Sequence, residues 1–188
     1  MKLLVVYGTT EGQTAKIATQ IARTVREHGI DADVMDGRSV PADLTLTQYD
    51  GVIVGASLHY HKFQRYIQNF VKAHRDQLRR MPSAFFSVSI TEAYKDPKGR
   101  EELATLTNRW LTDVDWQPDK IASFAGALAY TQYGWLKRNL QRWFAGRAGG
   151  STDTSRDHEY TDWDAVARFA DEFATMVHSG QHAVSPGV

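Results

Sequence analysis

Thr9-Thr10-Glu11-Gly12-Gln13-Thr14 is the run of residues in this chain best suited to chemistry. Hydroxyls and a glycine stand between the apolar run Leu3-Leu4-Val5-Val6-Tyr7 and Ala15-Lys16-Ile17-Ala18, which opens a helical period. A loop of this kind, between a buried strand and a helix N-terminus, suits a phosphate. Backbone N–H groups converge there, and the positive end of the helix dipole favours an anion. No lysine lies in the loop, so hydroxyls and amides would bind without a charge clamp. The glycine spacing and Lys-Ser/Thr pair of a nucleotide-hydrolysing P-loop are absent. The same residues would also serve simply to turn the chain and cap a helix, and the loop alone does not choose between these readings.

A second loop narrows the choice. Gly55-Ala56-Ser57 leaves an apolar run on small residues, and Leu58-His59-Tyr60-His61 follow directly. Small residues admit a planar ring to the backbone, while an apolar or aromatic neighbour covers its face. Taken singly, His59 and His61 read as solvated loop histidines, and no third ligand stands near them in sequence to make a zinc site. A third loop begins at Ser87-Val88-Ser89-Ile90, where backbone groups would bond the polar edge of a ring lodged between the two loops. Beyond it Tyr94, Lys95, Lys98 and Arg100 would receive an anionic substrate. Glu92, Asp96, Glu101 and Glu102 dilute that charge, and a solvated mixed-charge surface is the simpler account.

These loops need a scaffold that brings them to one edge. Apolar residues at Ile17, Ile21 and Val25 predict a helix from Thr14 to His28, ended by Gly29. Ala32 to Met35 and Tyr49 to Gly55 read as strands. Phe63, Tyr66, Ile67, Phe70, Val71 and His74 trace one face of a second helix. Ala84 to Ile90 reads as a fourth strand, Arg100 to Asp113 as a third helix, and Ile121 to Leu128 as a fifth strand. Thr161 is the expected N-cap of a last helix through Val177, with Asp164 at the capping-box position. Trp163, Val166, Phe169, Ala170 and Phe173 are spaced as its core face. Strands alternating with helices predict an α/β fold, a doubly wound parallel sheet of five strands in flavodoxin-like order with helices on both faces. Ligands of such sheets sit at the carboxyl ends of the strands, near the switch point. The loops expected there begin at Gly8, Gly55, Ser87 and Ala129.

The 188 residues suffice for a single domain, expected over 1–178 with a disordered tail at 179–188. Lys+Arg and Asp+Glu are equal at 22 each, which gives no prior for nucleic acid as a partner. Cysteine is absent, so disulfides, thiolate metal sites and thiol redox chemistry are excluded and any redox function must come from a cofactor. The N-terminal apolar run is shorter than the roughly 7–15 residues of a signal-peptide core. No stretch approaches the ~18 apolar residues of a membrane span. Cytoplasmic is the expected location.

The segment of about 130–160 is extra to a minimal domain of this kind, which would pass from its fifth strand almost directly into its last helix. Within it Trp135, Leu136, Asn139, Leu140, Trp143 and Phe144 share a helical stripe, and Lys137, Arg138, Gln141 and Arg142 lie elsewhere. No acidic residue falls between Tyr130 and Gly150. A basic amphipathic helix with tryptophans suits a membrane interface, with rings at headgroup depth and cations on anionic lipid. Packing on its own domain or on a second subunit is the competing reading, and a homo-oligomer stays open.

With these residues assembled, the chain resembles the flavodoxin-like, quinone-dependent protoporphyrinogen IX dehydrogenases of bacterial haem synthesis. The likeness covers the loop Thr9 to Thr14, the runs Tyr49-Asp50 to Val54-Gly55-Ala56-Ser57 and Met81-Pro82-Ser83-Ala84-Phe85 with Ser87-Val88, and Trp116-Gln117-Pro118-Asp119. It continues through Ala125-Gly126-Ala127-Leu128 with Tyr130, Gly149-Gly150 with Thr152-Asp153-Thr154, and Tyr160-Thr161-Asp162-Trp163. The last of these sets are the more specific, because ordinary flavodoxins lack them. The resemblance implies FMN, with its phosphate at Thr9, Thr10, Glu11, Gly12, Gln13 and Thr14. It places the ring between the loop at Ala56, Ser57, Leu58, His59, Tyr60 and His61 and the loop at Ser87, Val88, Ser89 and Ile90. It further implies oxidation of protoporphyrinogen IX, menaquinone or ubiquinone as acceptor, and a peripheral position on the cytoplasmic face of the inner membrane. It assigns no catalytic acid or base.

The chain departs from the pattern in one loop. Members of the family carry an asparagine after the Ser-Val pair and then a basic Arg-Lys-Pro stretch, whereas Ser89 and Thr91-Glu92-Ala93-Tyr94 stand here. A general FMN-dependent NAD(P)H:quinone reductase therefore stays open. So does a non-enzymatic flavodoxin electron carrier, although carriers of this fold usually have a strongly acidic face.

Overall fold

A computed structural model describes residues 1–94, 96–128 and 158–180. The chain runs from β1 (Lys2–Gly8) into α1 (Gln13–Glu27) and β2 (Asp31–Asp36). After a short 3-10 turn at Leu46–Gln48 it forms β3 (Gly51–Ser57), α2 (Arg65–Leu78) and β4 (Ser83–Ser89). A second 3-10 turn, Thr91–Tyr94, leads into α3 (Pro97–Asp113) and β5 (Lys120–Ala125). Two-residue strands β6 (Ala127–Leu128) and β7 (His158–Glu159) precede α4 (Trp163–Ser179). The five long strands are parallel in the order β2-β1-β3-β4-β5, while β6 and β7 make a separate antiparallel pair.

The side-chain alternation of β1 divides the core in two. Leu3 and Val5 face a cluster with Ile17, Ile21 and Val25 of α1 and Val166, Phe169 and Phe173 of α4. Leu4 and Val6 face the other side, with Ile67, Phe70 and Val71 of α2 and Trp110 of α3. Both faces of the sheet are covered, which is why its strands are almost continuously apolar.

The elements differ from expectation where local chemistry decides. The fifth strand stops at Ala125 instead of reaching Leu128: Gly126 N–H makes a last bond to β4, at 3.0 Å to Ser89 O, its carbonyl accepts from Tyr160 N at 3.2 Å, and Ala127 and Leu128 pair with Glu159 and His158 instead. The N-cap of α4 is Asp162, whose carboxylate accepts from Ala165 N at 2.9 Å, so Thr161 does not cap. Trp163 does not join the core face. It is 36% exposed and donates its indole N–H to Glu159 Oε1 at 2.8 Å. The last helix runs through Ser179, one residue into the tail expected to be disordered, of which 181–188 lie outside the described residues. So does the stripe Trp135 to Phe144, and with it most of the extra segment.

Candidate cofactor site

The register of the sheet brings the loops of interest to one edge. Gly8 pairs with Ala56, Ser57 with Val88 and Ser89 with Ala125, so the carboxyl ends of β1, β3, β4 and β5 lie side by side. The order reverses between β1 and β3, and the loops after these two strands meet there.

The first loop is held by its neighbours. The Tyr66 hydroxyl accepts from Thr9 N at 3.1 Å and donates to Thr9 O at 3.3 Å, fixing the residue where β1 ends. Burial raises the Tyr66 pKa, keeping this hydroxyl protonated. The Thr9 hydroxyl accepts from Gly12 N at 2.8 Å. Gly12 then turns the chain into α1 at φ 90°, a conformation that a side chain would strain. Its carbonyl accepts from Ala15 N at 3.1 Å and Lys16 N at 3.3 Å. The amides of Gln13 and Thr14 find no acceptor among the described residues, as befits a helix start.

Thr14 is the telling residue. It is 1% exposed, yet its hydroxyl has no hydrogen-bond partner. Thr19, Thr105, Thr112 and Thr175 each donate to the carbonyl four residues back, all at 2.9 Å. Thr14, in the first turn of α1, does not. A buried hydroxyl beside two unsatisfied amides at the positive end of a helix fits a phosphate group. Thr107 and Trp110 also carry unpartnered buried polar atoms, but both lie within α3, away from any helix start.

Gln64, which sequence reasoning passed over, joins this loop to the second. Its Oε1 accepts from Ser57 N at 3.1 Å, and its Nε2 donates to Thr10 Oγ at 3.3 Å and to Ser57 Oγ. Thr10 and Ser57 hydroxyls lie 3.5 Å apart. The sequence neighbours of Gln64 carry no signal for this role; only the fold shows it, at the N-cap position of α2 without a capping bond. Thr161 reads from the sequence as a cap and as part of the run Tyr160 to Trp163, without a link to Gln13.

The second loop leaves β3 with Leu58 N donating to Val88 O at 2.8 Å. His59 and Lys62 then exchange backbone bonds of 3.0 and 2.9 Å around a turn with Tyr60 at φ 47° and His61 at φ 62°. Turns with two positive φ values strongly favour glycine and asparagine, so Tyr60 and His61 hold a strained conformation. Tyr60 is 80% exposed at its tip. Between this loop and the next lies a cavity of about 160 Å³, lined by Leu58, Tyr60, His61, Ser89 and Ile90 from the loops and by Glu102 and Leu103 of α3 among others. His61 Nδ1 stands 3.4 Å from Glu102 Oε1 across it.

Three of the expected contact residues are placed elsewhere. Ser87 is fully buried within β4, its hydroxyl 2.9 Å from that of Ser123. Val88 and Ala56 belong to the two core clusters. β3 runs to Ser57, two residues past the expected Gly55, so its loop begins at Leu58, while β4 ends at Ser89, one residue short of the expected Ile90, and keeps Ser87 and Val88 within the strand. Among the cations beyond the third loop, Arg100 is held by Glu92 at 2.8 Å, and Lys95 lies outside the described residues.

Comparison with known proteins places this geometry. The family model for the Flavodoxin domain matches residues 4–155. A protein of Escherichia coli (strain K12) named protoporphyrinogen IX dehydrogenase (quinone) is 38% identical over 176 residues, covering 94% of this chain and 96% of its own. A protein of the same name from Leishmania major is 39% identical over 176 residues, covering 93% of this chain and 75% of its own. Among solved structures, a flavodoxin from the domain Archaea superposes with a TM-score of 0.54 at 18% identity over 95% of this chain and 99% of its own. Oxidised Flavodoxin 1 from Bacillus cereus gives 0.55 at 18% identity over 93% and 98%. At that identity the structural likeness speaks for the fold.

Proposed function

The chain belongs to the quinone-dependent protoporphyrinogen IX dehydrogenase family, built on a flavodoxin domain, and we propose from that membership that it oxidises protoporphyrinogen IX with FMN as cofactor and a quinone as acceptor. The observation that carries the cofactor is the buried, unpartnered hydroxyl of Thr14 beside the free amides of α1. Thr9 to Thr14 would hold the phosphate. Leu58 to His61 and Ser89-Ile90 would flank the ring, with Ala56, Ser57, Ser87 and Val88 shaping the strand ends beneath.

Hydride acceptance and electron delivery to the quinone are the chemistry FMN supplies when bound. The chain's own residues bind, orient and exclude water. Tyr66 and Gln64 fix the loops, while Leu58, Ile90 and Leu103 give the cavity apolar lining. Anaerobic assay of the flavin-loaded protein with protoporphyrinogen IX and menadione tests the substrate. Porphyrin fluorescence above a flavin-only blank is expected, and its absence overturns the assignment.

A general quinone reductase is the second reading. Arg100 is neutralised by Glu92, and Glu102 lines the cavity, which favours an uncharged ring over a tetrapyrrole with propionates. Rapid bleaching of the flavin by NADPH would select it.

With a lipid-soluble quinone as acceptor, we propose a peripheral position on the cytoplasmic face of the membrane. Among the described residues no helix is long and apolar enough to cross one. The contact we assign to the basic, tryptophan-bearing run Trp135 to Phe144. Replacing Trp135 and Trp143 by Ser should abolish co-sedimentation with anionic liposomes, and undiminished co-sedimentation would remove this run from the membrane contact.

A further inference from the structure

Gln13 opens α1 from inside the phosphate loop, and its side chain is 6% exposed. Its Nε2 donates to Thr161 Oγ at 2.8 Å. The Thr161 hydroxyl spends its own proton on Ala125 O, also at 2.8 Å. With that proton committed, the oxygen faces Gln13 only as an acceptor, so the carboxamide of Gln13 has one orientation at this contact. Glu159, two residues earlier, receives Lys16 Nζ of the same helix at 3.2 Å and the indole N–H of Trp163 at 2.8 Å. The segment Glu159–Trp163 is thus laid across the first turn of α1 and bonded to both ends of it. In sequence it closes the stretch that a minimal doubly wound domain lacks.

We propose that Thr161 is a positioning residue for the cofactor phosphate: by fixing Gln13 against the end of β5 it holds the first-turn amides of α1 in the orientation that binds the anion. This rests on the FMN reading above. The effect runs through Gln13 and should be specific to the phosphate, because among the described residues neither Gln13 nor Thr161 hydrogen-bonds to the ring loops.

The test compares dissociation constants for FMN and for riboflavin, which lacks the phosphate, measured by flavin fluorescence on the full chain. Thr161→Val should weaken FMN about tenfold and leave riboflavin within twofold. Thr161→Ser, which retains the hydroxyl, should bind FMN within twofold of wild type. In a Gln13→Ala background, Thr161→Val should add no further loss. Unchanged FMN affinity in Thr161→Val, equal weakening of both flavins, a tenfold loss in Thr161→Ser, or additive losses in the double variant would each overturn the proposal. Should Thr161→Val fail to fold, Thr161→Ala, which also removes the hydroxyl, takes its place in each comparison with the same expected and overturning results. A wild-type protein that takes up no FMN overturns the cofactor reading itself, whereas wild-type uptake with any of those variant results overturns Thr161 alone.

Discussion

Gly55 of β3 stands directly beside Phe86 of β4, and a Cβ built on Gly55 would lie 2.1 Å from the Cζ of that ring. Phe86 is fully buried and packs its ring 5.8 Å from Phe124 and 6.4 Å from Phe169, so it has nowhere to retreat. Gly55→Ala should therefore destabilise the fold by at least the roughly 1–3 kcal/mol typical of overpacking. Urea denaturation measures it, and Phe86→Leu in the same chain should recover part of the loss. A Gly55→Ala protein as stable as wild type would show that the sheet can open at this point.

Thr14 yields the opposite kind of variant. Its hydroxyl has no protein partner, so removing it takes no bond from the cofactor-free fold. Thr14→Ala should leave apo-protein stability unchanged or slightly raised, since a buried unpaired group is lost. FMN affinity should fall by about 1–2 kcal/mol, the worth of one hydrogen bond to a charged group. Equilibrium flavin titration and thermal melting of the apo-protein separate the two. An unchanged dissociation constant would remove Thr14 from the phosphate site.

Inside the other core cluster, the indole N–H of Trp116 donates to Ser83 Oγ at 3.2 Å, and Trp116 is only 2% exposed. Ser83 is anchored in turn by its own N–H, which donates to Asp119 Oδ2 at 2.8 Å. Ser83→Ala strands the indole N–H in the core and should cost about 1–3 kcal/mol, the penalty of an unsatisfied buried donor. Adding Trp116→Phe removes the stranded group, so the double variant should be less unstable than two independent losses predict. Strict additivity in denaturant melts would show the pair is not coupled.

How much of this was legible in the residues depends on the range of the interaction. Ile17, Ile21 and Val25, or Val52 to Val54, announce helix and strand through spacing alone, and the alternation of elements gives the sheet and its functional edge. The shape of the first loop was legible because it is local: hydroxyls, a glycine at φ 90° and a helix start, all within six residues. The roles of Gln64, Tyr66 and Thr161 were not, because they act on residues 54, 57 and 148 positions away; Thr161 stands in a motif of the resemblance, but nothing local links it to Gln13. The strand ends were misjudged for a related reason. Small residues at Gly55-Ala56-Ser57 look like a loop admitting a ligand ring, but the ring Gly55 admits is Phe86, and pairing continues to Ser57. Trp163 has core spacing, yet its indole N–H is drawn to Glu159, a carboxylate four residues earlier.

At the far edge of the sheet, Tyr49 donates its hydroxyl to Asp33 Oδ2 at 2.8 Å, and Lys2 Nζ meets the same carboxylate oxygen at 2.8 Å. Burial of the phenol, and then the Asp33 carboxylate, push the Tyr49 pKa up to about 12. An unfolded tyrosine ionises near pH 10. The folded-state value is the higher one, so the stability this group contributes is complete below pH 10 and is lost as pH rises towards 12. Asp33 has the opposite sign. The hydrogen bond from Lys2, with help from Tyr49, holds its carboxyl below the usual range, so its contribution persists above about pH 4 and fades on acidification. Tyr49→Phe deletes the alkaline component while Lys2 continues to satisfy Asp33. At pH 7 the variant should be less stable by about 1 kcal/mol, the worth of the lost hydrogen bond. Between pH 10 and 12 wild type should lose stability faster than the variant, closing the gap. Urea melts at stepped pH values read this directly, and a gap that stays constant to pH 12 would mean the phenol titrates normally in the folded protein.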